Sequence, residues 1–146
     1  MNKEIIHKAY ILFLSGVKDK NGIVKVNDNN QIIGIKFLNN SSKNYIVYGY
    51  YESGQIRYQK QYKNNKCHGD CVDYNCDGKI CYQEYYKNDQ LHGDYICYYE
   101  SGKVRYLKQY KNDKLYGDCI EYYDNGQIKC HYQYKNGELI AQRFNP

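Results

Sequence analysis

The sequence predicts an all-β protein, an elongated single-layer antiparallel meander of 24-residue hairpin repeats. Three observations predict it. A phrase of fixed pattern recurs without a slip in spacing: Tyr50-Tyr51-Glu52-Ser53-Gly54-Gln55-Ile56, Tyr74-Asn75-Cys76-Asp77-Gly78-Lys79-Ile80, Tyr98-Tyr99-Glu100-Ser101-Gly102-Lys103-Val104 and Tyr122-Tyr123-Asp124-Asn125-Gly126-Gln127-Ile128. A period of this length marks a repeat architecture. Two kinds of turn chemistry alternate along each unit, and each joins antiparallel neighbours. Between the turns, apolar and polar residues alternate with the period of a strand.

The chain has 146 residues and a net charge of +5. Two compositional regions meet near residue 45. Residues 1–44 hold seven Lys against Glu4, Asp19 and Asp28, and a single tyrosine, Tyr10. The other 20 tyrosines and all seven cysteines lie from residue 45 onward. Residues 1–44 therefore read as an N-terminal β cap, and residues 45–146 as a repeat array of four hairpin units with a degenerate C-terminal end.

In the cap, Tyr10–Leu14 is a short apolar run ending at Ser15-Gly16, read as a strand in preference to a helix over Lys3–Leu14. Gly22–Val26 and Gln31–Leu38 are two further runs. The polar stretch Asn27-Asp28-Asn29-Asn30 between them is turn chemistry, so they read as a hairpin.

In the array, the first turn of each unit ends on Gly54, Gly78, Gly102 or Gly126. A short polar turn closed by Gly predicts a type I turn with a left-handed residue and a G1 bulge. The second turn is Asn64-Asn65, Asn88-Asp89, Asn112-Asp113 or Asn136-Gly137, pairs that tolerate positive φ and fit a type I′ turn. A third marker, Gly-Asp at Gly69, Gly93 and Gly117, predicts a bend or a close backbone approach. It is replaced by Tyr45-Ile46 in the first unit and Ala141-Gln142 in the last, as expected of terminal units.

The strand residues alternate. Ile56, Tyr58 and Tyr62 share one parity, as do Val72 and Tyr74 on the returning strand, with polar residues between. This predicts one apolar, aromatic face and one polar face. Equivalent tyrosines then form columns across the strands. Tyr50, Tyr74, Tyr98 and Tyr122 form one column, and Tyr62, Tyr86, Tyr110 and Tyr134 a second. Tyr51, Tyr99 and Tyr123 lie on the opposite parity, where Asn75 interrupts the series. Tyrosine is common at interfaces and is also a good strand former, so these columns are both candidate contact surface and candidate partly wet core.

The string Tyr-Tyr-x-x-Gly-x-Ile/Val followed by Tyr-Lys-Asn-x-x-Leu-x-Gly-Asp, clearest at Tyr98–Asp118, resembles the variant form of the MORN repeat, over about residues 45–140. That variant occurs in antitoxin-like repeat proteins of bacteria and in repeat proteins of large DNA viruses. The resemblance implies a meander of hairpins used for protein binding, assembly or attachment near membranes, and no catalytic residues. The chain departs from the standard unit in having no Trp.

These readings lead to a non-enzymatic scaffold that binds a protein partner, in the manner of a neutralising antitoxin. The partner-binding candidates are Tyr50, Tyr74, Tyr98, Tyr122, Tyr51, Tyr99 and Tyr123. The alternative is a peripheral membrane adaptor that uses Lys18, Lys20, Lys25 and Lys36 on anionic lipid. An accessory domain of an enzyme is a third reading. The near-neutral array lacks the charged groove that single-stranded nucleic acid needs, and edge strands offer a route to self-association. An odd number of scattered cysteines points to free thiols in a reducing compartment, the cytoplasm, or the host cytoplasm for a viral chain. Cys67, Cys71, Cys76 and Cys81 surround His68, but their spacing is not that of zinc knuckles, so neither metal nor cofactor is expected. His68 and His92 precede the Gly-Asp marker and read as polar residues that shape it.

Overall fold

A computed structural model describes residues 22–26, 32–38 and 41–144. The Tyr10–Leu14 strand, the Asn27–Asn30 turn, Lys18 and Lys20 lie outside the described residues. The described residues form β1 (Gly22–Val26), β2 (Ile32–Leu38), β3 (Ser41–Tyr50), β4 (Ile56–Lys63), β5 (Lys66–Tyr74) and β6 (Ile80–Lys87). The chain continues through β7 (Gln90–Tyr98), β8 (Val104–Lys111), β9 (Lys114–Tyr122), β10 (Ile128–Lys135) and β11 (Glu138–Phe144). All belong to one antiparallel sheet in which each strand pairs with its neighbours in sequence. The expected hairpin of the cap is β1–β2, and β2 pairs with β3, so cap and array share the sheet. The compositional boundary at residue 45 falls inside β3 and makes no break in it.

Both turn types form as their residues require. In the first, Gly54 N–H donates to Tyr51 O and Tyr51 N–H to Gln55 O, both at 2.9 Å, and Gly54 has φ +87°. The same bonds recur at Asn75 to Lys79, Tyr99 to Lys103 and Tyr123 to Gln127. Gly78, Gly102 and Gly126 have φ of +78°, +85° and +89°. In the second turn both central residues are left-handed, as in Asn64 (+53°) with Asn65 (+62°) and Asn136 (+53°) with Gly137 (+90°). Asn and Asp visit this region because their short side chains bond locally, which is why they occupy these positions.

The Gly-Asp marker is a bulge. Lys60 opposes Cys71 and Tyr62 opposes Cys67, so two steps on β4 span four on β5. Gly69, Gly93 and Gly117 sit in these bulges with φ of +106°, +92° and +89°. A Cβ on Gly117 would collide with Gln109 Oε1, the atom that accepts the N–H of Asp118 at 3.0 Å. In the last unit Ala141 replaces this glycine, and β10–β11 omits just one residue between paired positions. This loses one residue of the bulge, so Arg143 opposes His131 there, whereas its equivalent Cys119 opposes Lys108.

The single apolar face expected from the sequence does not form. Tyr58 opposes Asp73, and Gln59 opposes Val72. Opposed residues of an antiparallel pair share a face. The apolar residues of outgoing and returning strands therefore lie on opposite faces. A two-residue turn causes this, because it sets every odd-numbered residue of one strand against an even-numbered residue of the next. One face carries Tyr58, Tyr62, Tyr82, Tyr86, Tyr106 and Tyr110 among cysteines, lysines and the carboxylates Asp73, Glu84 and Glu121, and is called the tyrosine face below. The other, the amide face, carries Gln59, Gln83 and Gln109 with Val72, Ile96 and Ile120.

No second layer covers either face among the described residues. Buried hydrophobic side chains there are Tyr50 (9% exposed), Cys71 (1%) and Val72 (8%). Cohesion therefore comes from hydrogen bonds and from partial burial shared by many side chains. Gly117→Ala places an L residue at φ +89° against Gln109. The expected cost is about 1–3 kcal/mol, read as a lower midpoint in urea denaturation.

Candidate functional site

Each second turn docks on the unit before it. Asp89 donates its N–H to Cys67 O at 2.9 Å and accepts the N–H of Cys67 on Oδ1 at 2.7 Å. Asp113 makes the same two bonds with Leu91, at 3.0 and 2.7 Å. His68 and His92 lie beside these turns, with Nδ1 at 3.3 Å from Asn88 Oδ1 and 3.2 Å from Asn112 Oδ1. The histidines are thus ring partners of the next turn's asparagine.

The first turns are tied to one another as well. Tyr51 donates its hydroxyl to Tyr74 O and Tyr99 to Tyr122 O, both at 2.7 Å. Lys79 Nζ reaches Glu100 O at 3.2 Å, Lys103 Nζ reaches Asp124 O at 2.8 Å, and the Ser101 hydroxyl bonds the Asp124 carboxylate. Asn75 replaces a tyrosine and turns inward, accepting the N–H groups of Asp77 and Lys79 on Oδ1.

Tyr51 and Tyr99, two residues expected to meet a partner, are therefore braces between units. Tyr50 is buried, and burial pushes its hydroxyl up to about 12. Tyr74, Tyr98 and Tyr122 are half-buried, and Tyr98 donates to Gln83 Oε1 at 2.6 Å. Tyr123 is 49% exposed, with Lys129 Nζ 5.9 Å from its ring centre. The column of Tyr50, Tyr74, Tyr98 and Tyr122 belongs to the amide face, as the pairing of Tyr74 with Ile80 and Tyr98 with Val104 continues from Val72 and Ile96.

The most continuous aromatic surface lies on the tyrosine face. Tyr82 stacks on Tyr95 with centroids 6.3 Å apart, and Tyr95 meets Tyr110 edge-on at 6.4 Å. Tyr45 stacks on Tyr62 at 4.9 Å at the other end. Lysines lie over the rings: Lys108 Nζ is 5.7 Å from Tyr95 and 5.2 Å from Tyr106, and Lys60 is 5.2 Å from Tyr58. Burial pushes the hydroxyls of Tyr82, Tyr95 and Tyr110 up, and that of Tyr62 to about 12, so they remain neutral at physiological pH. The face therefore offers flat rings, neutral hydroxyls and charges of both signs, Lys60 and Lys108 alongside Asp73, Glu84 and Glu121. The alternation in the sequence puts Tyr82 with Tyr86 and Tyr106 with Tyr110 on one parity, and Tyr62, Tyr86, Tyr110 and Tyr134 in one column, but does not show that Tyr45 and Tyr95 join them. Counting the register from the two-residue turns would have found them.

On the amide face an open groove of about 520 Å³ runs between Gln59, Gln61, Asp70, Gln83, His92 and Asp94. Asp118, the third in the aspartate row, lies 2.8 Å from His131 Nε2 and accepts Gln133 Nε2 at 3.1 Å. These bonds hold its carboxyl below its ordinary 3.8. Of the four clustered cysteines, Cys67 and Cys71 share the tyrosine face, Cys76 is exposed in a turn, and Cys81 neighbours the bulge opposite Tyr74. The four do not converge on one point. Among the described residues, no group of three or more His, Cys, Asp or Glu is placed to hold a metal ion.

The family model described as MORN repeat variant matches residues 46–64, 91–112 and 115–136. These three stretches are MORN repeats of the variant type. The unmatched stretch 65–90 keeps the same turn bonds, at Asn75 and Asp89, so its MORN-like geometry continues where its cysteines depart from the motif. MORN repeats are protein- and lipid-binding modules, which is compatible with a scaffold. A search of curated proteins found no match. Among solved structures, a crystal structure of TarM aligns at 15% identity over 94% of this chain and 23% of its own length, with a TM-score of 0.34. An S. aureus TarM mutant in complex with fondaparinux, alpha-GlcNAc-glycerol and UDP aligns over the same shares at 15% identity, with a TM-score of 0.29. The chain thus spans about a quarter of the length of these structures.

Two outcomes test the bracing. Tyr99→Phe removes the hydroxyl that bonds Tyr122 O and is expected to cost about 1 kcal/mol in denaturant melts. Because Asp118 has a lowered carboxyl pKa in the fold, its stabilisation is present above the ordinary value and is lost as pH falls through the lowered one. Asp118→Asn is expected to flatten the acid limb of a plot of Tm against pH, below about pH 4.

Proposed function

We propose that the chain is a non-enzymatic scaffold that binds a protein partner across its tyrosine face. The observation that carries this reading is the ring contact Tyr82–Tyr95–Tyr110, which crosses from one unit to the next on a sheet face that no other layer of the described residues covers. Tyrosine supplies large contact area at low conformational cost, because its side chain has two rotatable angles. Lys108 and Glu84, which both oppose Tyr95, add charged contacts of either sign for a complementary partner surface. Spread over several units, such contacts suit a partner that is gripped along its length and blocked, as a neutralised toxin would be. The free thiols support a reducing cytoplasm as the place of action.

The test is capture of a saturable protein partner by the full chain, followed by titration. Tyr95→Ala is expected to weaken binding about thirtyfold, the effect of losing an aromatic anchor worth about 2 kcal/mol. Tyr123→Ala and Gln83→Ala are expected to leave binding unchanged, and circular dichroism melts verify folding of each variant. Binding that survives Tyr95→Ala, while salt-sensitive flotation with anionic liposomes is lost on changing Lys18, Lys20 and Lys25 to Glu, would replace this reading with the membrane adaptor.

A further inference from the structure

We propose that Cys67 and Cys71 are a dithiol site that closes to an intramolecular disulfide on reaction with a small-molecule disulfide. The argument begins with backbone geometry. In a regular strand, residues four apart are separated by roughly 13 Å and their side chains do not meet. Here the bulge at Gly69, with φ +106°, absorbs two residues, so Cys67 and Cys71 oppose Tyr62 and Lys60, which are only two apart. Both thiols therefore stand side by side on the tyrosine face, with the Sγ atoms 3.4 Å apart. Closing that gap to a bond of about 2.0 Å needs a movement of about 1.4 Å, within the reach of side-chain rotation in a bulge.

The bulge recurs in later units, but the thiol pair does not. The equivalent positions hold Leu91 with Tyr95 and Leu115 with Cys119. The dithiol is therefore a property of one unit and not a demand of the fold.

The two thiols differ in access, which orders the reaction. Cys71 is 1% exposed, whereas Cys67 is partly open to solvent. The thiolate of Cys67 attacks one sulfur of glutathione disulfide, forms a mixed disulfide and releases one glutathione thiolate, which takes up a proton. Cys71 then loses its proton to solvent, and its thiolate attacks Cys67 Sγ. The second glutathione leaves as a thiolate and is protonated. The two protein thiols are oxidised, and one glutathione disulfide is reduced to two glutathione molecules. Burial raises both protein thiols, Cys71 to about 12, so closure accelerates as pH rises.

The experiment incubates the reduced full chain with glutathione disulfide, blocks remaining thiols by alkylation, and cleaves before Asp70 and Asp73 without reduction. This places Cys67, Cys71 and Cys76 on three separate peptides. The expected result is a joined Cys67–Cys71 pair with Cys76 alkylated or carrying glutathione. Cys71→Ser is expected to accumulate about tenfold more glutathione on Cys67 than the natural chain does. If burial of that serine prevents folding, Cys67→Ser serves instead and must leave Cys71 unmodified. A bond from Cys76 to either partner overturns the proposal. So does a mixed disulfide that persists on Cys67 of the natural chain, or glutathione on Cys76 with Cys67 and Cys71 both still reduced.

Discussion

The constraint on which the structure depends is the docking of each Asn-Asp type turn onto the backbone of the unit before it. A single-layer sheet has no interior in which to hide apolar surface, and just three described hydrophobic side chains are buried. What remains is the strand ladder and the bonds that join one turn to the next. Asp89 meets both the N–H and the C=O of Cys67, so its turn cannot slide along the sheet without losing two bonds together. Such contacts act between nearest neighbours, so stability accumulates unit by unit, as in other repeat arrays.

Tyrosine serves two purposes that its abundance conceals. Tyr51 and Tyr99 use the hydroxyl as a brace to a backbone carbonyl one unit on, and their rings lie under Arg57 and Arg105. Tyr82, Tyr95 and Tyr110 use the ring, each against its neighbour on the same face. The first set is held by local polar bonds and the second by cross-strand packing. A partner can compete for the second set without breaking the array, whereas engaging the first would undo the joints between turns.

Departures from the repeat mark where units differ in behaviour. Asn75 replaces the bracing tyrosine with a side chain that caps its own turn. Ala141 replaces a bulge glycine, and the register of the last pair moves by one residue, which brings Arg143 opposite His131. Cys67 and Cys71 replace aliphatic and aromatic residues at one bulge and put two thiols in contact. In each case the backbone frame tolerates the change, because the frame depends on the turns and not on a packed core.

The period, the strands of the array, both turn types and the hairpin Gly22–Val26 with Ile32–Leu38 were legible in the sequence. Positive φ is open at little cost only to Gly, Asn and Asp, so Gly54, Asn64 and Asn65 announce their geometry locally. The distribution of side chains between the faces was not legible from alternation. Val72 and Tyr58 each alternate correctly within their own strands, yet they project to opposite sides, because the turn's residue count decides which positions oppose. The same holds for the bracing role of Tyr51 and for the contact of Cys67 with Cys71. By itself the sequence determined where the chain turns, since that is a property of single residues. Which residues meet was decided by the tertiary structure, since register belongs to a pair of strands and bulges change it.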